Sequence, residues 1–140
     1  MMLSGKTALI TGGSRGIGEA LVRFFVANGA NVAFTYISPS SGARSEKIIA
    51  DLSDSEVQIK AYKSDAGDHT QAAELVKAVV ADFGGLNVLV NNAGITRDTL
   101  LMRMSEEQWD DVMQVNLKSV FNLTKHCIRP MLRDDAATTA

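Results

Sequence analysis

The sequence predicts an α/β protein built on a doubly wound parallel sheet. Short β-branched runs alternate with longer amphipathic stretches, the pattern of parallel strands joined by crossover helices. The first of those runs, Thr7-Ala8-Leu9-Ile10-Thr11, is apolar without alternation, as a strand buried on both faces should be. A glycine-rich turn follows it directly and leads into a helical stretch.

Each element has a local reason. Behind the turn, Ile17, Ala20, Leu21 and Phe24 recur at helical spacing and make the expected apolar stripe of the first helix. Asn28-Gly29 stops it, because glycine accepts the left-handed conformation that ends helices. Residues 31–36, Asn-Val-Ala-Phe-Thr-Tyr, read as the second strand, Ser38-Pro39-Ser40-Ser41-Gly42 as a loop, and a helix follows to about Leu52. The third strand is expected over 57–62. Ala72, Leu75, Val76, Val79 and Phe83 share one side of the next helix, which ends at Gly84-Gly85. Val88-Leu89-Val90, the fourth strand, runs into Asn91-Asn92-Ala93-Gly94. After an irregular segment, Ser105 with Glu106 and Glu107 reads as a helix cap and an acidic first turn. That last helix is expected to reach about Met131, with a bend near its middle.

With 46% hydrophobic and 21% charged side chains, the 140 residues read as one globular domain able to bury a core. The 14 basic and 16 acidic residues leave a net charge of −2 and form no cluster to follow a phosphate backbone, so nucleic acid is not expected as the main partner. No window approaches the ~20 continuous apolar residues of a membrane span. The N-terminus, Met1 to Lys6, lacks the basic-then-apolar order of a signal peptide, and the expected address is the cytoplasm. Cys127 is the single cysteine, and His69 and His126 lie far apart without ligand spacing, so no disulfide and no metal site are expected. His126 and Cys127 read as ordinary helix positions, because adjacent helical residues do not face each other.

The chemistry begins at Thr11-Gly12-Gly13-Ser14-Arg15-Gly16-Ile17-Gly18. Glycine at 12 permits a tight turn, glycine at 16 lets a pyrophosphate approach the backbone, and glycine at 18 lets the helix pack closely. The free amides of the helix start then meet phosphate charge. A plain strand-to-helix turn would use similar glycines, but the position between a buried strand and an amphipathic helix favours nucleotide binding. Gly12, Ser14, Arg15, Gly16, Ile17 and Gly18 are therefore candidate cofactor contacts. The spacing is not that of a Walker loop, since no Gly-Lys-Ser/Thr follows.

Cofactor choice turns on the end of the second strand, where an NAD enzyme places an acidic residue on the ribose hydroxyls. Here stand Tyr36, Ile37 and Ser38, with no carboxylate before Glu46. Arg15 in the loop can meet a 2′-phosphate, so NADPH/NADP is expected over NADH; the plainer reading is a solvated loop charge. Asp65 and Ala66, after the third strand, and Asn92, Ala93 and Gly94, after the fourth, are candidate contacts to the adenosine and the nicotinamide ribose. Taken singly, Asp65 reads equally as a helix cap and the asparagines as turn residues.

The glycine turn, Asp65, Asn91-Asn92-Ala93-Gly94 and Asn116 together resemble the short-chain dehydrogenase/reductase family. Within it, residues 91–104 and Val115-Asn116-Leu117-Lys118-Ser119-Val120-Phe121 are similar to the 3-oxoacyl-[acyl-carrier-protein] reductases of bacterial fatty-acid synthesis. The likeness covers roughly residues 3–133.

Right-handed crossovers and the glycine turn after the first strand predict the strand order 3-2-1-4, and the resemblance makes this a Rossmann-type doubly wound parallel sheet, here truncated after four strands. The resemblance implies reduction of a 3-oxoacyl thioester to the (R)-3-hydroxyacyl product by hydride from NADPH. A tyrosine, a lysine and a serine would serve the carbonyl, and an asparagine would anchor a water in the proton relay. Asn116 alone of these is expected here, as the catalytic candidate. Neither Tyr36 nor Tyr62 has a lysine four residues on, since Ser40 and Ala66 stand there.

Residues 1–133 are thus expected to form a nucleotide-binding half-domain and 134–140 a frayed tail outside the family, and the 140 residues are expected not to turn over. A non-catalytic nucleotide-binding module and an aggregation-prone fragment are the rival readings. Trp109, Met113 and Phe121 read as core or interface residues of the last helix. The resemblance also implies a homo-oligomer, in doubt for this length, and an acyl-carrier-protein partner met by Arg129 and Arg133, which would otherwise pair with a helix C-terminus.

Overall fold

The computed structural model describes residues 1–94 and 101–139, with side chains to residue 133. Four strands, β1 (Thr7–Ile10), β2 (Asn31–Tyr36), β3 (Ile59–Lys63) and β4 (Val88–Val90), pair in parallel in the order β3-β2-β1-β4. The helices are α1 (Gly16–Ala27), α2 (Pro39–Asp51), α3 (His69–Phe83), α4 (Glu106–Val112) and α5 (Lys118–Thr139). A 3-10 turn at Leu101–Arg103 precedes α4, and one π-helical segment, Met113–Leu117, joins α4 to α5. The expected strand order is therefore the one observed.

The alternation of side chains along each strand splits the core into two layers. Ile10, Val32 and Phe34 face one way, against Val22 and Val26 of α1 and Ile48 of α2. Leu9 and Ala33 face the other way, against Leu75, Val76 and Val79 of α3 and Leu123 and Cys127 of α5. Every residue of β1 is buried, as a central strand covered on both faces must be. β3 and β4 form the edges, and β4 is half-buried along its length.

Three local expectations are corrected. Of the stripe expected for α1, Leu21 packs against the core, but Ile17, Ala20 and Phe24 do not. Ile17 and Phe24 are 75% and 61% exposed, whereas Gly18, Val22 and Val26, one turn apart, carry the contact. Both sets fit a 3.6-residue period; the sheet takes the one that starts with a residue lacking a side chain, which lets the helix lie close. The second correction concerns 38–42, which is the start of α2 rather than a loop. Ser38 is the N-cap, its Oγ accepting from the Ser41 amide at 3.2 Å, and Pro39 takes the first helical position.

The third correction narrows a reading: of the core or interface roles expected for Trp109, Met113 and Phe121, the core role does not hold. These residues are 53%, 37% and 57% exposed, and α5 buries Ser119, Asn122, Leu123 and Cys127 instead. At the C-terminal end helical backbone runs to Thr139. Ala136 and Ala137 are strong helix formers and no glycine or proline interrupts the segment. Arg129 and Arg133 consequently do not lie in the last turn of the helix, which contains no basic residue.

Candidate functional site

In a parallel sheet all strands end on the same edge, and ligands enter the crevice outside those ends where the connections diverge. Here β1 and β4 are neighbours although far apart in sequence, so the loops after them part to opposite faces. A cleft of about 500 Å³ opens at that place.

The turn after β1 forms its floor. Gly12 and Gly16 have φ of +68° and +57°, a conformation costly for any residue with a Cβ. A Cβ on Gly16 would meet nothing within 4 Å, so open space lies against that backbone. A Cβ on Gly18 would overlap the Gly12 carbonyl oxygen and stand 2.6 Å from Asn92 Nδ2. Gly13, which carries no part in the motif's spacing, is equally constrained: a Cβ there would lie 2.6 Å from that of Phe34. Arg15 is the N-cap of α1 in extended backbone, with no capping bond from its side chain. The amides at the start of α1 are thereby left for a ligand.

Two buried threonines hold this turn, and the sequence reading assigned neither a role. Thr11 Oγ1 accepts from the amides of Asn92, at 3.1 Å, and Ala93, at 2.9 Å. Thr35 Oγ1 accepts from the Gly12 amide at 3.0 Å. Asn92 completes the lock by donating Nδ2 to the carbonyls of Thr11 and Gly12. Asn91 turns the other way and donates to Thr124 Oγ1 of α5. Their signal was present in the sequence, since small hydroxyl residues at strand ends are natural acceptors for loop amides.

Around the floor, the cleft is lined by Gly12, Ser14, Arg15, Gly16, Tyr36, Asp65, Ala66, Asn92, Ala93 and Gly94 among the expected residues. Ile17 and Gly18 do not line it; Ile17 is exposed and Gly18 serves the packing of α1. Residues missed by the sequence reading also line it: Ser38, Ser40, Ser41 and Arg44 on the first turns of α2, with Ser64 and Val115. Ser38 followed by proline was the signal for that helix start. Ser64 Oγ, buried, makes no hydrogen bond within the described residues, so the wall offers one unspent polar group. Asp65 is not a helix cap. Its Oδ1 accepts from the Gly67 amide at 2.9 Å, while Asp68 caps α3 by accepting from Gln71.

The π-helical segment closes one end of the cleft. Gln114 Nε2 donates to the Gly67 carbonyl at 3.0 Å, which ties that segment to the loop after β3. Asn116 stands over Gly94, its Oδ1 2.8 Å from where a Cβ would be. Residues 95–100, which include Ile95 to Leu100 of the 91–104 run, lie outside the described residues.

Neither tyrosine is placed as a proton donor to a substrate. Tyr62 donates to Asp82 Oδ2 at 2.6 Å, and burial and that carboxylate push its pKa well above the usual phenol range. Tyr36 packs its ring on Gly42. Burial pushes the Cys127 thiol up to about 12, so it is no nucleophile. His126, expected to be an ordinary helix position, instead meets His69 across α3 and α5 at 3.2 Å between Nε2 atoms.

Among the described residues no helix is long and apolar enough to cross a membrane. The chain is 44% identical over 128 residues to the 3-oxoacyl-[acyl-carrier-protein] reductase FabG of Staphylococcus aureus, covering 91% of this chain and 51% of that protein. It is 41% identical to the Vibrio cholerae protein of the same name, covering 95% and 52%. The chain thus spans about half the length of the curated relatives it matches. Among solved structures, a blue fluorescent protein from a metagenomic library in complex with NADPH superposes with a TM-score of 0.88 at 34% identity, covering 94% of this chain and 53% of that one. A short-chain dehydrogenase from Burkholderia cenocepacia in complex with NADP gives 0.87 at 36%, with the same coverage. The family model for short-chain dehydrogenases matches residues 6–138, reaching into the 134–140 segment expected to lie outside it. With that match over nearly its whole length, the chain belongs to the short-chain dehydrogenase family.

Proposed function

We propose that this chain is the nucleotide-binding half of an NADPH-dependent 3-oxoacyl-[acyl-carrier-protein] reductase. One observation carries the reading: the glycine turn, Arg15, the start of α2, Asp65 and Asn92 converge on a single cleft at the carboxyl ends of the strands. The residues fit a dinucleotide. The open space at Gly16 and the free amides of α1 suit a diphosphate. Arg15, Arg44 and the serines at 38, 40 and 41 supply cations and donors for a 2′-phosphate, with no carboxylate among residues 36–45 to repel it. Asp65 and Ala66 are proposed to meet the adenine, and Asn92, Ala93 and Gly94 the nicotinamide ribose. NADPH supplies the hydride when bound. Asn116, over Gly94, is proposed to position a water for the proton relay.

The reductases and NADP(H)-bound structures that the chain resembles support the acyl-carrier-protein substrate and NADP(H). Arg129 and Arg133, both exposed on α5, are proposed to meet the acidic carrier. The apolar face running from Leu117 of the π-helical segment through Phe121 and Leu132 of α5, each more than half exposed, is proposed as the oligomer face. A cytoplasmic address follows from the same reading. A binding module without turnover is the second reading, favoured by the two tyrosines, of which one is tied to Asp82 and the other packed on Gly42.

Fluorescence titration of the full chain tests the first claim. Arg15→Ala is expected to weaken NADPH by about ten- to a hundredfold, the worth of a charged hydrogen bond of about 1.5–3 kcal/mol, with little change for NADH. Equal losses for both cofactors would refute the assignment. With an acetoacetyl thioester the 140 residues are expected to leave NADPH unoxidised, and steady turnover would overturn that part.

A further inference from the structure

The fold brings together the chain's two histidines, 57 residues apart in sequence. His69 is the first residue of α3 and His126 lies in the middle of α5. Their Nε2 atoms are 3.2 Å apart, with ring centroids at 4.7 Å and planes inclined at 55°. This contact lies outside the cofactor cleft, and no step proposed there uses it.

The tautomer of His69 is set by its neighbour. Asn122, with no exposed surface, donates Nδ2 to the Ala66 carbonyl at 3.0 Å. Its Oδ1 is therefore the atom 3.0 Å from His69 Nδ1, and an amide oxygen can only accept. Nδ1 carries the proton, and neutral His69 presents a bare lone pair at Nε2. An outer-shell acceptor on Nδ1, turning Nε2 toward a shared point, is the arrangement that orients histidines at metal centres.

The separation fits the same chemistry. With metal–nitrogen bonds of about 2.0–2.1 Å, two imidazole nitrogens on one tetrahedral ion lie about 3.3–3.4 Å apart. We propose that His69 and His126 bind one divalent transition-metal ion through their two Nε2 atoms, in place of the proton they now share.

Neutral imidazoles select zinc, nickel or copper over magnesium or calcium. No group of three or more His, Cys, Asp or Glu forms a metal cage among the described residues, so water completes the coordination. Both histidines are half-buried rather than sealed in the core, which leaves a path for it. Cys127, although next to His126 in sequence, is 1% exposed within the core and does not reach the ion's side of the helix. The site would bridge α3 and α5, and Lys125 beside His126 keeps it weaker than a structural zinc site.

Calorimetric titration of the full chain with zinc chloride reads this directly. One ion per chain is expected to bind, with magnesium giving no heat of binding. His69→Gln and His126→Gln should each lose at least about tenfold in zinc affinity, a loss comparable to that from removing even an outer-shell partner. Because the chain has two histidines, carbethoxylation of the unmutated protein provides a second reading. Zinc should slow modification of both rings. Absence of saturable zinc binding, undiminished affinity in both variants, or carbethoxylation unaffected by zinc would each overturn the proposal.

Discussion

At the scale of single residues, the glycines of the turn do different work despite identical chemistry. Gly16 is needed for its backbone conformation, with φ of +57°, and for the open space beside it. Gly18 has ordinary helical backbone and is needed because α1 lies against the Gly12 carbonyl and the Asn92 side chain. Gly18→Ala therefore inserts a methyl into a filled contact. Overpacking of this kind costs about 1–3 kcal/mol, and here it also pushes apart the turn that the ligand must find intact. Denaturant unfolding should show that loss, and NADPH titration a weakened affinity; an unchanged unfolding midpoint would mean that α1 can slide away freely. Thr11 and Thr35 belong to the same scale. One hydroxyl oxygen receives two loop amides and the other receives one, so the turn is held by side chains as well as shaped by its glycines.

At the scale of elements, α2 shows how a cap decides function. Ser38 and Pro39 start the helix at the mouth of the cleft, and that start brings Ser40, Ser41 and Arg44 to its wall. Read as a loop, the same residues had no defined direction. Removing the cap with Ser38→Ala should cost about 0.5–2 kcal/mol of stability. It should also weaken NADPH more than NADH, because the residues it unsettles are those proposed to meet the 2′-phosphate. Chemical unfolding paired with the two cofactor titrations checks both parts. Equal effects on the two cofactors would separate α2 from cofactor choice. The π-helical segment is the counterpart on the far side, where Gln114 and Gly67 join the last helices to the loop after β3.

At the scale of the whole molecule, ion pairs tie elements that are distant in sequence. Arg23 of α1 reaches Asp51 of α2 at 3.0 Å, and Lys60 of β3 reaches Asp82 of α3 at 2.7 Å. The hydrogen bonds from Arg23 and Lys47 hold Asp51 below its ordinary pKa of 3.8, and those from Lys60 and Tyr62 do the same for Asp82. A carboxylate depressed in the folded state binds fewer protons there than in the unfolded chain. Its contribution is thus complete above the ordinary value of 3.8 and disappears as pH falls through the lower folded value. Both pairs are exposed, so the effect is modest and weakens with salt. Urea midpoints should therefore fall between pH 5 and pH 3, and Asp82→Asn should flatten part of that fall. A fall of the same size in that variant would show that Asp82 plays no part.

What could be read from the sequence rests on local rules. Alternating runs, the glycine turn and the helix stops are set by residues within a few positions of each other, and they suffice for the strand order and for ten residues of the cleft. What could not be read depends on surfaces meeting. Two sets of residues in α1 share a helical period, and only the approach of the sheet selects Val22 and Val26 over Ile17 and Phe24. The apolar residues of α5 form a stripe in either environment, and packing on α3 decides that Leu123 and Cys127 go inside while Phe121 stays out. The meeting of His69 with His126 has no local signature at all, since it exists only because α3 and α5 lie side by side.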